Sequence, residues 1–378
     1  MKVVSKKGNG CMKILVYISS IDMNSDVYMG VAKKIKMQCK AFEKLGFQVE
    51  NLSNSVNNPI EKVKKVFPSY YATAYKKIKK RICIINKIDV CYIRYQGASR
   101  GLVDILRTVR SYHPDCKIIL EMPTYPYEQE LKSLLDKPLY FRDILYREKL
   151  KKYVNLIATF SDFKEIYGIP VTEITNGIDL DVIEPRKAKE YNPDSLVIIG
   201  VAGMQIWHGF DRMIEGMSLY YKKRDGKPKI TFIGIGEGPY KEKWIQLAEK
   251  HGVSEYVQFL GVKSGDELEK LYNDADLGIG SLGIYHVMDF PRVSILKTRE
   301  YCAKGLPFIT TQKDYLFSNK KFKYSLTVKD DNSAIDMDEV IEFLKNINKE
   351  KNEYIINDMR DYAEKNIQWC EILKPLVE

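Results

Sequence analysis

The sequence predicts an α/β protein made of two doubly wound parallel sheets. Three observations carry that expectation. The chain has 378 residues, more than one hydrophobic core usually sustains, since cores stop growing near ~250 to 300 residues. Short β-branched runs alternate with longer amphipathic runs along the whole chain, the pattern of parallel strands joined by helices that cover both faces of a sheet. The alternation forms two series, parted by a polar segment, 181–194, that holds Pro185 and Pro193 and reads as an interdomain linker.

In the first series the candidate strands are 13–18, 47–52, 89–95, 117–122, 155–160 and 171–175. The apolar stretch Ile14 to Ile18 is shorter than the ~7 to 15 residues of a signal-peptide core, so it reads as a first strand; residues 1–11 are either a leader ahead of Met12 or part of the native start. The helix after it is marked by Val31, Ile35, Phe42 and Leu45 at helical spacing, and Gly46 supplies its stop. In the second series strands are expected at 196–201, 229–234, 256–260, 277–281 and 306–310, with helices near 210–224, 239–251, 264–274 and 295–304. Two further helices, near 335–348 and 353–370, finish the chain.

Composition narrows the class. Hydrophobic residues make up 45% and charged residues 29%, a globular balance, and no apolar run approaches the ~20 residues of a membrane span. Seven cysteines lie scattered without a CxxC pair, which fits small buried thiols in a reducing cytosol, and four histidines are too sparse for a zinc site. Residues 1–150 carry 28 Lys+Arg against 14 Asp+Glu, a net +14, although the whole chain is only +10. There Lys62, Lys64, Lys65, Lys76, Lys77, Lys79, Lys80 and Arg81 flank FPSYYATAY. Such a basic, aromatic-bearing stretch can rest on anionic lipid headgroups or form a solvated helix face. No nucleic-acid motif accompanies the charge, so nucleic acid is not an expected partner.

Function in doubly wound sheets is sought in the loops after strands. The loop after the first strand ends in Gly30 at a helix start, whose amides and dipole favour an anion; a simple helix-entry glycine is the competing account. No GxGxxG fingerprint or Walker loop is present, so hydride transfer and P-loop chemistry lose support. After the first strand of the second series comes GMQIWHGFDR, where Trp207 and His208 precede Gly209 at a helix start and can stack on a ligand and donate to phosphate oxygens. Core packing of Trp207 is the alternative. In GIGEGPY the glycines, Gly234 and Gly236 among them, let a base or ribose approach the backbone, and the amides up to Val262 can read a base. Lys297 stands at a helix N-terminus among Ser294, Ile295, Leu296 and Thr298, so its ammonium and the local amides converge on one anion. Glu300, about one turn later, can accept from ribose hydroxyls, or else pair with Lys297 on the surface.

Taken in order, GVAKKIKMQCKAFEKLGFQV, ILEMPTYPYEQE, TNGID at Thr175 to Asp179, WHGFDR, GIGEGP, VQFLGV and LKTREYCAKGLPFI span nearly the whole chain. The set resembles the family 4 glycosyltransferases of the GT-B fold, of the bacterial polysaccharide-assembly type. The resemblance implies two Rossmann-like domains facing across a cleft: an acceptor domain over 12–180, a nucleotide-sugar donor domain over 195–352, and a C-terminal helix in 353–378 that crosses back to the first. It implies hexosyl transfer with retention from a nucleoside-diphosphate sugar, UDP-linked, to a glycan or lipid-linked acceptor, with no cofactor and no metal required. Lys297 would neutralise the leaving diphosphate, Glu300 would hold the ribose and Gly30 would line the sugar-phosphate path. The expected setting is the cytoplasm, at the inner face of the cell membrane, in capsule or exopolysaccharide assembly.

The chain also departs from the family. The family shows two glutamates separated by seven residues, and Arg292 stands where the first should be, free to assist the phosphates instead. Many relatives carry an Arg and a Lys where this chain has Trp207-His208-Gly209, which gives His208 part of the phosphate contact and makes its protonation matter. The first-domain His of many relatives has no counterpart, and Glu121, Thr124 and Tyr125 are the acceptor-side candidates. These departures keep two other readings open, another GT-B enzyme such as an epimerase, and a non-catalytic nucleotide-sugar-binding subunit.

Overall fold

The structure is a computed structural model that describes residues 12–21, 23, 29–52, 73–123, 125–127, 136–223, 228–287, 291–318 and 322–378. Contacts divide the chain into two compact units, Met1–Ile174 with Ile372–Glu378, and Thr175–Glu371.

In the first unit, β1 (Lys13–Ile18) is followed by α1 (Met29–Lys44), β2 (Phe47–Asn51), α2 (Thr73–Ile84), β3 (Val90–Arg94), α3 (Arg100–Tyr112), β4 (Lys117–Met122), α4 (Asp136–Arg147), β5 (Leu156–Thr159), β6 (Glu165–Ile166) and β7 (Ile169–Glu173). The sheet order is β2-β1-β3-β4-β5-β7-β6. Leu15, Val16 and Tyr17 are all fully buried, as they must be in a parallel strand covered on both faces, and that is why the strand reads as an unbroken apolar run. β6 and β7 form an antiparallel hairpin. Its two-residue turn, Tyr167 (φ 52°) and Gly168 (φ 73°), puts both residues in the left-handed region that such turns require. The sequence places this strand at 171–175; the hairpin starts it at Ile169.

The second unit runs β8 (Ser195–Val201), α5 (Phe210–Lys223), β9 (Lys229–Ile235), α6 (Lys241–Lys250), β10 (Val257–Phe259), α7 (Gly265–Asp274), β11 (Leu277–Ile279), α8 (Leu296–Lys304), β12 (Phe308–Thr311), α9 (Tyr315–Ser318), β13 (Ser325–Val328), α10 (Met337–Ile347) and α11 (Asn352–Asn366). α12 (Trp369–Val377) follows, and its last turns count with the first unit. The parallel order β10-β9-β8-β11-β12-β13 is the 3-2-1-4-5-6 order of a Rossmann sheet. Two cores fill the unit. One, with Phe210, Phe232 and Trp244, lies under α5 and α6; the other, with Tyr301, Phe308 and Met359, lies under α8 and α11.

Some elements differ from the sequence reading. β13 goes unanticipated because its four residues are all only half-buried. The expected helix over 353–370 breaks at Ile367, where Ile178 N–H donates to Ile367 O (2.8 Å) and Trp369 N–H donates to Ile178 O (3.1 Å). The segment 181–194 lies inside the second unit: Arg186, 4% exposed, donates to Gly305 O at 2.9 Å and Ala275 O at 3.2 Å.

Candidate functional site

From β8 the chain builds β9 and β10 on one side, then returns to build β11, β12 and β13 on the other. The carboxyl ends of β8 and β11 therefore flank the topological switch point, where doubly wound sheets hold ligands. The loops there interlock through glycines. Gly209 is left-handed (φ 64°), and a Cβ on it would lie 2.6 Å from Gly283 N. Close approach lets Leu282 N–H donate to His208 O (3.2 Å) and Gly283 N–H donate to Trp207 O (3.1 Å). Arg212, almost fully buried, fixes the same loop by donating to Leu282 O at 2.7 Å and to Lys329 O at 2.9 Å. Gly236 (φ 129°) packs so closely that a Cβ would lie 1.9 Å from Ala202 O, and its N–H donates to Gly261 O at 2.7 Å. Gly234 leaves room for the Phe259 ring, which a Cβ would meet at 2.5 Å. The loops after β8, β9 and β10 are thus held backbone to backbone. Val262, beside Gly261, is exposed.

This frame brings together three side chains. His208 ends a 3-10 turn (Ile206–His208) after β8, and its Nδ1 lies 3.1 Å from Ser281 Oγ, just past β11. Lys297, at the start of α8, places Nζ 2.9 Å from the same Nδ1 and 5.6 Å from the Phe210 ring centroid. Burial brings the Lys297 pKa down to about 7, against an opposing pull from Glu300. Burial, reinforced by the Lys297 charge, lowers the His208 pKa to about 2. His208 is therefore a neutral imidazole at physiological pH. With two donors aimed at Nδ1, its proton belongs on Nε2, which keeps one N–H to offer. The sequence expectation that His208 protonation matters gives way to a titrating lysine. Trp207 is 36% exposed, with its ring 5.8 Å from that of His208.

α8 presents Lys297 because its other face is anchored. Thr298 and Arg299 are buried, and Asp314 accepts from Thr298 Oγ1 at 2.7 Å and from Arg299 Nη1 at 2.5 Å. Arg299 also donates to Thr175 Oγ1 at 2.9 Å. Ser294 Oγ accepts from Asn176 N–H at 2.7 Å, and Ser294 O accepts from Asn176 Nδ2 at 2.7 Å, so the TNGID segment is tied to the helix entrance. The hydroxyls of Ser294 and Thr298, grouped with the donor residues by the sequence, are engaged inside the fold. Ile295 is the N-cap position, with no side-chain hydrogen bond to the helix amides, and Leu296 is exposed beside it. Amides unsatisfied by a cap are available to an anion. Glu300, half-buried one turn on, accepts from the Tyr272 hydroxyl at 3.2 Å. Arg292 stacks its guanidinium 4.0 Å from the Tyr315 ring centroid. Ser281, Tyr272 and Asp314 were missed from sequence, although Ser281 sits at the end of an expected strand.

In the first unit, Gly30 lies in the first turn of α1. Glu121 is fully buried on β4, where it accepts from Lys34 Nζ (2.8 Å), Arg94 Nη1 (3.0 Å) and Gln38 Nε2 (3.3 Å). Its pKa falls to about 2, because the pull of Lys34 and Arg94 outweighs burial, the largest single influence, which pushes it up. Its place is in an internal network. Tyr125 packs edge-on against Phe163 and Tyr167, and its carbonyl accepts from Ser161 Oγ at 2.6 Å. Thr124 lies outside the described residues, as does much of the basic aromatic stretch; on α2, Lys79 pairs with Asp104 at 2.6 Å and Arg81 with Glu50. Among the described residues no group of His, Cys, Asp or Glu is arranged to hold a metal ion.

The model of the family described as "Glycosyl transferases group 1" matches residues 181–361. That segment runs through the second unit from the stretch before β8 into α11. A search of curated proteins found no match. Among solved structures, a glycosyltransferase from Rickettsia africae is 14% identical, covers 96% of each chain and superposes with a TM-score of 0.61. Anabaena HepE, solved in complex with UDP, is 12% identical over 97% of this chain and 98% of that one, with a TM-score of 0.63. Sucrose-phosphate synthase from Thermosynechococcus elongatus is 12% identical over 97% and 96%, with a TM-score of 0.58. At such identities the likeness establishes the fold, which is the two-domain, Rossmann-like GT-B fold. Together the family match and the fold support a GT-B glycosyltransferase.

Proposed function

We propose that this protein is a metal-independent, retaining family 4 glycosyltransferase, which moves a hexose from a UDP-linked donor to a glycan or lipid-linked acceptor in bacterial capsule or exopolysaccharide assembly. Its work would lie in the cytoplasm at the inner membrane face, with an acceptor domain over 12–180, a donor domain over 195–352 and a closing helix in 353–378. What carries the reading is one observation: Lys297 Nζ, the His208 imidazole and the uncapped start of α8 gather at the β8/β11 switch point. Neighbours of the same fold were solved with UDP and with UDP-glucose.

In the proposed reaction the bond between the anomeric carbon and the diphosphate oxygen breaks while the acceptor oxygen attacks from the same face. The acceptor hydroxyl proton passes to the departing diphosphate oxygen. Charge grows on the diphosphate as it leaves, and Lys297, the Nε2–H of His208 and the α8 amides are the groups that would receive it. Glu300 would bind the ribose diol, and Arg292 would assist the phosphates. On the acceptor side, Tyr125 is the retained candidate. Turnover measured with a panel of nucleotide sugars should fall about 10²- to 10³-fold in Lys297→Ala, the loss typical of removing one pre-placed charge-stabilising group. Equal turnover in both proteins defeats the assignment.

A further inference from the structure

We propose that α4 docks on an anionic membrane surface through its outer face, which sets the cavity behind the helix within reach of the head group of a lipid-linked acceptor. Surface helices turn their apolar stripe to the core and their charges to water. In α4 a carboxylate sits on the inward face among Leu139, Tyr140 and Tyr146: Asp143, 2% exposed, accepts from the hydroxyls of Tyr95 and Tyr127 and from Ala98 N–H. Arg147 lies against the Tyr167 ring, 4.9 Å from its centroid. The outward residues are Phe141, Ile144 and Leu145, which are 57%, 40% and 45% exposed. Their i, i+3, i+4 spacing puts them side by side on one face. Three large apolar side chains side by side on the outer face form a contiguous patch, and such a patch marks an interaction surface.

Charge selects the occupant. Lys137 shares the face, and Lys149, Lys151 and Lys152 follow at the end of the helix, all four exposed, so that lysines outnumber the carboxylates of Asp136 and Glu148 around the patch. A second copy would set these lysines against their own kind. A surface of anionic headgroups would instead neutralise them while the three apolar side chains enter the acyl boundary, the arrangement of an interfacial helix. Among the described residues no helix is long and apolar enough to cross a membrane, so the contact would be peripheral. Behind the helix, Tyr140, Arg142 and Asp143 line a cavity of about 430 Å³ together with Arg94, Tyr95 and Tyr127. Its role as an acceptor pocket rests on the transferase reading above; the docking itself does not.

The test is co-sedimentation of the full chain with vesicles, of phosphatidylcholine alone or mixed with phosphatidylglycerol, alongside UDP calorimetry. Wild type should bind the mixed vesicles, lose that binding as salt rises, and ignore pure phosphatidylcholine. Phe141→Ser/Ile144→Ser/Leu145→Ser should lower partitioning roughly tenfold or more. Lys149→Gln/Lys151→Gln/Lys152→Gln should abolish the preference for phosphatidylglycerol. Both variants should bind UDP like wild type. The proposal is overturned if wild type does not sediment with the mixed vesicles, if either variant behaves like wild type, or if the patch instead holds a dimer that the serine variant dissolves. Vesicle binding without UDP binding would leave the docking standing and remove the transferase reading; UDP binding without vesicle binding would do the reverse.

Discussion

The Lys297 ammonium shares its surroundings with the His208 imidazole, the Phe210 ring and the Glu300 carboxylate, and burial outweighs the carboxylate to leave a pKa of about 7. A lysine so placed is charged below that pH and neutral above it. A diphosphate arriving beside it favours the charged form, so binding should draw in a proton. UDP affinity should therefore fall as pH rises from 7 to 9, approaching tenfold per pH unit. Calorimetry in buffers of different ionisation heat reads both the affinity and the proton taken up. A flat profile for wild type, or an unchanged slope in Lys297→Ala, would exclude Lys297 as the titrating group. His208, with its pKa near 2, adds no step in that window.

At the scale of elements, the proposed nucleotide site depends on three strand-end loops that touch through backbone. Gly236 is the tightest point, with φ at 129° and a prospective Cβ 1.9 Å from Ala202 O. Gly236→Ala should cost roughly 1 to 3 kcal/mol in strain and displacement, a fall of several degrees in Tm, with weaker UDP binding because the loop after β8 must move. Gly203 offers the control, since a Cβ there meets nothing within 4 Å. Gly203→Ala should leave Tm nearly unchanged. Thermal unfolding of the two variants side by side decides whether close approach or glycine content sets the loop.

Across the whole molecule, each core cluster of the described residues lies within one unit. One cluster, including Val16, Ile105 and Leu120, belongs to the first unit, and the two others belong to the second. In the first unit, Glu121 is ion-paired with Lys34 and Arg94 and fully buried. Its depressed pKa contributes stability that is present above the ordinary carboxylate range and lost as pH falls toward about 2. Glu121→Gln would remove the carboxylate shared by the buried Lys34 and the half-buried Arg94, at a cost of about 3 to 5 kcal/mol. Denaturant unfolding should show that loss in the transition of the first unit, while UDP affinity, which we place in the second, stays within experimental error. A matching loss of UDP affinity would contradict separate cores.

Local sequence determined the strands and most helices. A parallel strand under two helix layers must be apolar on both faces, so β1, β4, β8 and β9 stand out as unbroken runs whatever surrounds them. The glycine loops and Lys297 were legible for the same reason, because position after a strand and at a helix start is a local property. What tertiary structure decided is where chains meet at a distance. Ile178 breaks the C-terminal helices from nearly two hundred residues away, Asp314 claims Thr298, and Lys34 with Arg94 holds Glu121, an acceptor-side candidate from sequence, in an interior network. The charge states of His208 and Lys297 belong to that second group too. Desolvation depends on which atoms exclude water from a side chain, and folding alone brings those atoms together.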